Sequence, residues 1–231
     1  MKYGAVIFDL FGTLVDNVQD GPYAASIRAT AAAAGAEAEE FLRRWTDGQT
    51  ALRRSAGQFG TQARCIEHIC RQMGLSPDPD AVRRAARVRF EAVRAWLVCR
   101  PDAVDTLEGL RRIGLKLCLM SVCSPDTPIL WPRTPLAPRF DEALFSCKVA
   151  LNKPDPRFYA LACERLDLQP RQCLYVGDGA GNELTGARRA GMDAVLICAP
   201  HEEDFVMARE EARNWTGPRI ASPSEVLQLV A

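Results

Sequence analysis

Four short apolar runs, at residues 3–8, 115–120, 173–176 and 194–198, set the strongest limit on what this chain can fold into. Runs of four to eight apolar residues read as buried strands. Between them stands sequence of helical period, as in Val104, Leu107, Leu110 and Ile113, closed by Gly114. Strands alternating with helices make βαβ units, and uniformly apolar strands belong to a parallel sheet covered on both faces. Residues 143–146 are a weaker strand candidate. A last helix is expected after Ser222-Pro223-Ser224-Glu225, a capping-box pattern with proline at the first helical position. The fold class is therefore α/β with a parallel sheet.

From residue 17 to 99 the strand-like runs disappear. Ala- and Arg-rich stretches of helical spacing replace them, at 24–34, 65–73 and 82–96, with breaks at Gly74, Pro77 and Pro79. This reads as an all-helical insertion between the first strand and the rest of the sheet. The expected division is a core of residues 1–16 and 100–231 and a helical domain of residues 17–99. Residues 124–140 carry five prolines and are expected to form a functional loop beside the site.

With 231 residues the chain is long enough for such a core and insertion. Lys plus Arg (29) equals Asp plus Glu (29), so bulk charge gives no reason to expect nucleic acid as a partner. The lysines are only Lys2, Lys116, Lys148 and Lys153; every other basic side chain except the two histidines is arginine. Nine cysteines, mostly inside apolar runs and not clustered as ligands, suggest small buried hydrophobes in a reducing compartment. No apolar run approaches the ~18 residues needed to span a bilayer, and no leader is expected before Tyr3. Neither membrane nor nucleic acid is expected as a partner, and a cytoplasmic location is.

In an open parallel sheet, ligands bind beyond the carboxyl ends of the strands. The polar residues that follow the apolar runs are Asp9 and Thr13, then Ser121, then Lys153, then Asp178 with Glu183 five residues on. Carboxylate oxygens suit a hard divalent cation, and a phosphate needs a cation and hydroxyl donors. Two carboxylates and one of four lysines brought to one sheet edge would suit magnesium and a small phosphorylated ligand. The less specific features have plain structural readings. His68 and His201 read as surface or helix-face positions, not metal ligands, so zinc is not expected. Arg28, Arg43, Arg44, Arg53, Arg54 and Arg64 read as solvated helix faces, with one or two able to reach an anionic substrate. Trp45, Trp96 and Trp131 read as packing residues, Trp131 with the alternative of lining an entrance.

Over essentially its whole length the sequence resembles the haloacid-dehalogenase superfamily of hydrolases. Phe8-Asp9-Leu10-Phe11-Gly12-Thr13-Leu14 is similar to the first motif of that superfamily, and Leu119-Met120-Ser121 to the second. Lys153 in Lys-Pro-Asp-Pro is similar to the third, and Val176-Gly177-Asp178 with Glu183 to the fourth. The resemblance implies a Rossmann-like core with a helical cap inserted after the first motif. It further implies that Asp9 is a nucleophile and that magnesium is held by Asp9, the main-chain carbonyl of Phe11 and Asp178. Glu183 would orient a metal-bound water or Lys153. Ser121 and Lys153, helped by Thr13 and by main-chain amides near Gly12 and Val122, would hold phosphoryl oxygens.

Two positions depart from the phosphatase pattern of that superfamily. Phe11 stands where a second aspartate protonates the leaving group, and Val122 replaces a polar residue often seen after the serine. A missing general acid forgoes roughly 10²–10⁴ in rate, which would suit a substrate with a good leaving group or a proton from another residue, such as Asp16. An aromatic at position 11 also resembles the metal-independent 2-haloacid dehalogenase branch, whereas an intact Gly177-Asp178 favours the metal enzymes. No lysine lies between Lys2 and Lys116, which excludes the branch that uses a cap lysine as a Schiff base. The expectation is a magnesium-dependent phosphatase. The alternatives are a dehalogenase-type hydrolase and a catalytically weak protein that binds a phosphoryl ligand.

Overall fold

The computed structural model describes residues 2–230. Six parallel strands form one sheet in the order β3-β2-β1-β4-β5-β6. They are β1 (Ala5–Phe8), β2 (Lys116–Ser121), β3 (Glu142–Phe145), β4 (Cys173–Gly177), β5 (Asp193–Ile197) and β6 (Arg219–Ile220). All four strands expected from the apolar runs are present, as is the weaker one at 143–146. The two-residue β6 has no apolar run of its own and exists through its pairing with β5.

Strand pleating sends alternate side chains into two cores. Val6, Phe8, Leu117, Leu119, Leu174, Val176, Val195 and Ile197 pack on one face. Ala5, Ile7, Cys118, Met120, Cys173, Tyr175, Ala194 and Leu196 pack on the other. The first face is covered by α6 (Ala103–Arg112) and, near the end of the chain, a helix at Val226–Val230. The second is covered by helices at Pro156–Leu166 and Glu183–Arg189. This double coverage is why the strands need no polar face. The last helix is preceded by a capping box between Ser222 and Glu225, as the sequence implies.

Between β1 and β2 the chain forms five helices before α6: α1 (Asp20–Ala34), α2 (Ala38–Thr46), α3 (Gly48–Ser55), α4 (Gln62–Gln72) and α5 (Pro79–Trp96). Their starts are encoded locally: Glu37, Asp47, Thr61 and Asp78 each accept hydrogen bonds from first-turn amides. Ile27, Phe41, Trp45, Ile66, Ile69 and Ala85 make a third apolar core within this insertion. The fold is thus α/β, a Rossmann-like parallel sheet with a helical cap inserted after β1.

The proline-rich stretch is not an open loop. It contains α7 (Asp126–Leu130) and two single 3₁₀ turns, and its Trp131 is buried against Phe140 and Phe145. Packing, not an entrance, is the role of Trp131. All nine cysteines are free. Among the described residues no helix is long and apolar enough to cross a membrane.

Candidate active site

The sheet order steps from β1 to β2 on one side and to β4 on the other, so the carboxyl ends of these three strands frame a crevice. Asp9 stands at the end of β1, its amide bonded to the Val176 carbonyl at 2.9 Å. The chain then turns sharply, with the Leu10 carbonyl accepting from Thr13, Leu14 and Val15. Gly12 has φ of +78°, and a Cβ there would fall 1.9 Å from Asp178 Oδ2. Only glycine lets the turn pass this close to the carboxylate. The Gly12 amide itself donates to the Val15 carbonyl at 2.7 Å. What Gly12 offers the site is therefore room rather than the anticipated free donor.

Lys153 connects two buried carboxylates. Its Nζ lies 2.5 Å from Asp9 Oδ1, 2.5 Å from Glu183 Oε2 and 2.9 Å from the Tyr175 hydroxyl, which itself donates to Glu183 Oε2 at 2.6 Å. Glu183 Oε1 accepts from the Gly179 amide at 3.0 Å. A Cβ on Gly177 would sit 2.3 Å from that same oxygen, so the second glycine of the site also preserves carboxylate space.

Burial pushes the Asp9 carboxyl above the usual range, with Lys153 opposing and Asp178 reinforcing. Glu183 is raised for the same first reason. Burial alone would lower the Lys153 ammonium, but the two carboxylates outweigh it and hold it above the normal lysine value. One lysine shared between two carboxylates neutralises only one of them.

Asp178 follows β4 and is fully buried. Its Oδ1 accepts from the Ala180 amide at 3.1 Å. Its Oδ2 is in ionic contact with Arg209, yet no donor is aligned to make a hydrogen bond to it. Arg209 donates instead to the Asp178 main-chain carbonyl (3.1 Å) and to Asn17 Oδ1 (2.9 Å). Oxygens of Asp9, Asp178 and Glu183 lie within 4.8 Å of one another. With all three ionised, these carboxylates would exceed Lys153 and Arg209 by one negative charge. Thr13 Oγ1, Ser121 Oγ and Asn152 Oδ1 are also buried without a hydrogen-bond partner. Buried polar atoms are rarely left so outside functional sites.

Above these residues lies a cavity of about 580 Å³ between the cap helices and the strand ends. Phe11, Val122 and Lys153 line it from the core, Arg54, Arg89 and Trp96 from the cap. Lining the cavity is a role for Trp96 beyond packing, whereas Trp45 is wholly buried. Arg54 is buried too, not solvated.

Asp16 is not brought to the cavity; it pairs with Arg100 and His201. His201 does acquire carboxylate neighbours, Asp16 and Glu202, against the expectation from sequence, but Arg100 already binds both. Tyr175, Arg209, Asn17 and Arg89 were not singled out from sequence. Tyr175 sits inside an apolar strand run, and Arg209 lies 31 residues from Asp178 in a segment without a motif.

A sheet edge that presents a buried carboxylate–lysine pair under a helical cap defines an enzyme-type site. The haloacid dehalogenase-like hydrolase family matches residues 3–191, and the chain belongs to that family. It is 30% identical over 170 residues to glyceraldehyde 3-phosphate phosphatase from Methanopyrus kandleri, covering 72% of this chain and 71% of the relative. It is 29% identical over 242 residues to (S)-2-haloacid dehalogenase 1 from a Pseudomonas species, covering 98% and 96%. In fold it is similar to the 2-haloacid dehalogenase of Pseudomonas syringae pv. Tomato DC3000, with a TM-score of 0.71 and 22% identity over 99% and 98% of the two chains. Relatives of both reaction types thus flank a hydrolase of this family.

Proposed function

We propose that the protein is a magnesium-dependent phosphatase of a small phosphorylated molecule, working through an aspartyl-phosphate on Asp9. Residues 17–99 act as the cap and residues 1–16 with 100–231 as the catalytic core. The observation that carries this reading is the group of three buried acids, Asp9, Asp178 and Glu183, whose oxygens lie within 4.8 Å of one another. Like charges so close call for a cation beyond Lys153 and Arg209.

The donor set fits magnesium. Asp9, Asp178 and the main-chain carbonyl of Phe11 would hold it, all oxygen donors as that ion prefers. When bound, the metal supplies positive charge against the phosphoryl oxygens and the attacking carboxylate. An oxygen of Asp9 forms the bond to phosphorus while the bond from phosphorus to the leaving oxygen breaks. Water then attacks phosphorus, releasing phosphate and restoring the Asp9 carboxylate. Lys153 orients Asp9 and, with Ser121 and Thr13, offers donors to phosphoryl oxygens; Glu183 and Tyr175 hold Lys153 in place. Splitting one displacement into two and fixing the reacting groups are the main gains. Phe11 supplies no proton, so the leaving oxygen must be a weak base or be protonated from elsewhere.

A second reading is metal-independent carbon–halogen hydrolysis. Phe11 and the Arg209 guanidinium against Asp178 favour it, because arginine there would stand in for the metal. A panel of phosphorylated metabolites and 2-haloacids, assayed with magnesium and with chelator, separates the two. Phosphate release abolished by chelator supports the first; halide release indifferent to chelator supports the second and contradicts the first.

A further inference from the structure

Three arginines are buried: Arg54, Arg89 and Arg100. Arg100 is neutralised by Asp16 and Glu202. Among the described residues, Arg54 and Arg89 form no ion pair, although both line the cavity that Lys153 also lines. Their hydrogen bonds go to neutral acceptors. Arg54 NH1 donates to the Trp45 carbonyl at 3.1 Å, and Arg89 NH1 to Ser26 Oγ at 2.9 Å. Arg89 Nε is buried with no partner at all.

Aromatic faces surround these cations. The Arg54 guanidinium lies 4.3 Å from the Trp45 ring centre, and that of Arg89 lies 4.8 Å from Trp96, 5.3 Å from Tyr23 and 5.6 Å from Trp45. Stacking of this kind offsets part of the cost of burial but supplies no counter-charge. Asp126 is the acidic group whose field reaches Arg89, but it lies beyond ion-pair contact, and Arg54 opposes it. Both cations thus line one ligand cavity with no carboxylate in contact among the described residues.

We propose that Arg54 and Arg89 bind a carboxylate of the substrate, remote from the reacting phosphate, so that the substrate is a small phosphorylated carboxylic acid. This rests on the phosphatase reading for the phosphate end alone. A carboxylate matches the planar guanidinium fork. A second phosphate would need more donors around it, and the walls here are the aromatic rings of Tyr23, Trp45 and Trp96.

The test uses two esters that differ only at the far end: 3-phosphoglycerate, with a carboxylate, and glycerol 3-phosphate, with a hydroxymethyl group. Wild type should prefer the first by roughly tenfold or more in kcat/KM, as expected for a charge-assisted contact. Arg54→Gln and Arg89→Gln should each raise KM for 3-phosphoglycerate far more than for glycerol 3-phosphate, bringing the ratio near one. Arg89→Lys should retain part of the preference. Because the readout is a ratio within one protein, partial misfolding does not mimic it. A wild-type ratio near one, or an unaltered ratio in both glutamine variants, overturns the proposal. Should wild type hydrolyse neither alkyl ester, the carboxylate site is tested apart from the phosphatase reading, which the panel with magnesium and chelator decides. The carboxylate site is then read by titrating D-glycerate against the fluorescence of Trp45 and Trp96. Saturable quenching in wild type that is lost in Arg89→Gln supports it, and quenching equal in both, or absent, contradicts it.

Discussion

Lys153 Nζ and Asp9 Oδ1 are 2.5 Å apart, both buried, with Glu183 at the same distance on the other side of the ammonium. The group proposed as nucleophile is thereby held in one orientation by a cation that is itself fixed from behind. Removing the lysine would strand two carboxylates in a low-dielectric site, and breaking a buried pair from one side costs about 3–5 kcal/mol. Lys153→Met should therefore lower the melting temperature as well as abolish turnover. The stranded acids would take up protons in the folded state, so the loss of stability should be greater at pH 8 than at pH 5. Thermal melts at the two pH values, with an activity assay, check this.

Asp178 and Arg209 give a test that separates the two reaction types. Asp178→Asn should weaken magnesium binding and lower phosphatase turnover by roughly tenfold or more. Arg209→Gln removes the guanidinium that competes for the same carboxylate and should tighten magnesium binding, measured by calorimetry. If the arginine instead stands in for a metal, Arg209→Gln should lose activity and gain no affinity for magnesium.

The odd residue at position 11 makes a prediction about leaving groups. Wild type should hydrolyse acyl and aryl phosphates far better than alkyl phosphates, whose alkoxide needs a proton. Phe11→Asp should flatten the dependence of rate on leaving-group pKa and raise alkyl phosphate hydrolysis by roughly tenfold or more. A folded variant that still binds magnesium and keeps the wild-type dependence would place the proton donor elsewhere.

Asp126, the first residue of α7, is raised from 3.8 to about 6 by burial, against the pull of Arg89. The folded protein therefore holds a proton that the unfolded chain releases between about pH 4 and 6, and stability falls as pH rises through that window. Asp126→Asn should remove this fall. It should stabilise the protein by about 1–3 kcal/mol at pH 7.5 and have little effect at pH 4, because a tenfold difference in proton affinity between folded and unfolded chain is worth about 1.4 kcal/mol. Denaturant melts at both pH values measure it.

What the sequence carried and what it did not have physical reasons. Asp9, Ser121 and Asp178 were legible because a parallel sheet brings whatever follows each apolar run to one edge. Lys153 was legible because lysine is so scarce here. Tyr175 was hidden because its ring serves the core while only its hydroxyl reaches Lys153 and Glu183. Arg54 and Arg89 looked like any helical arginine, since solvation depends on which cap face meets the sheet. The helices α2 and α3 are nine and eight residues long, close to the shortest that periodicity resolves, and β6 is defined only by its neighbour.

The central claim is that Asp9 forms a covalent phosphoryl bond. Beryllium fluoride mimics that aspartyl-phosphate, and ¹⁹F NMR in the presence of magnesium reads its binding directly. Wild-type protein should give bound-state fluorine signals, and a folded Asp9→Asn protein should give none. Equal signals from both proteins, or no bound signal from wild type with magnesium present, would contradict the account.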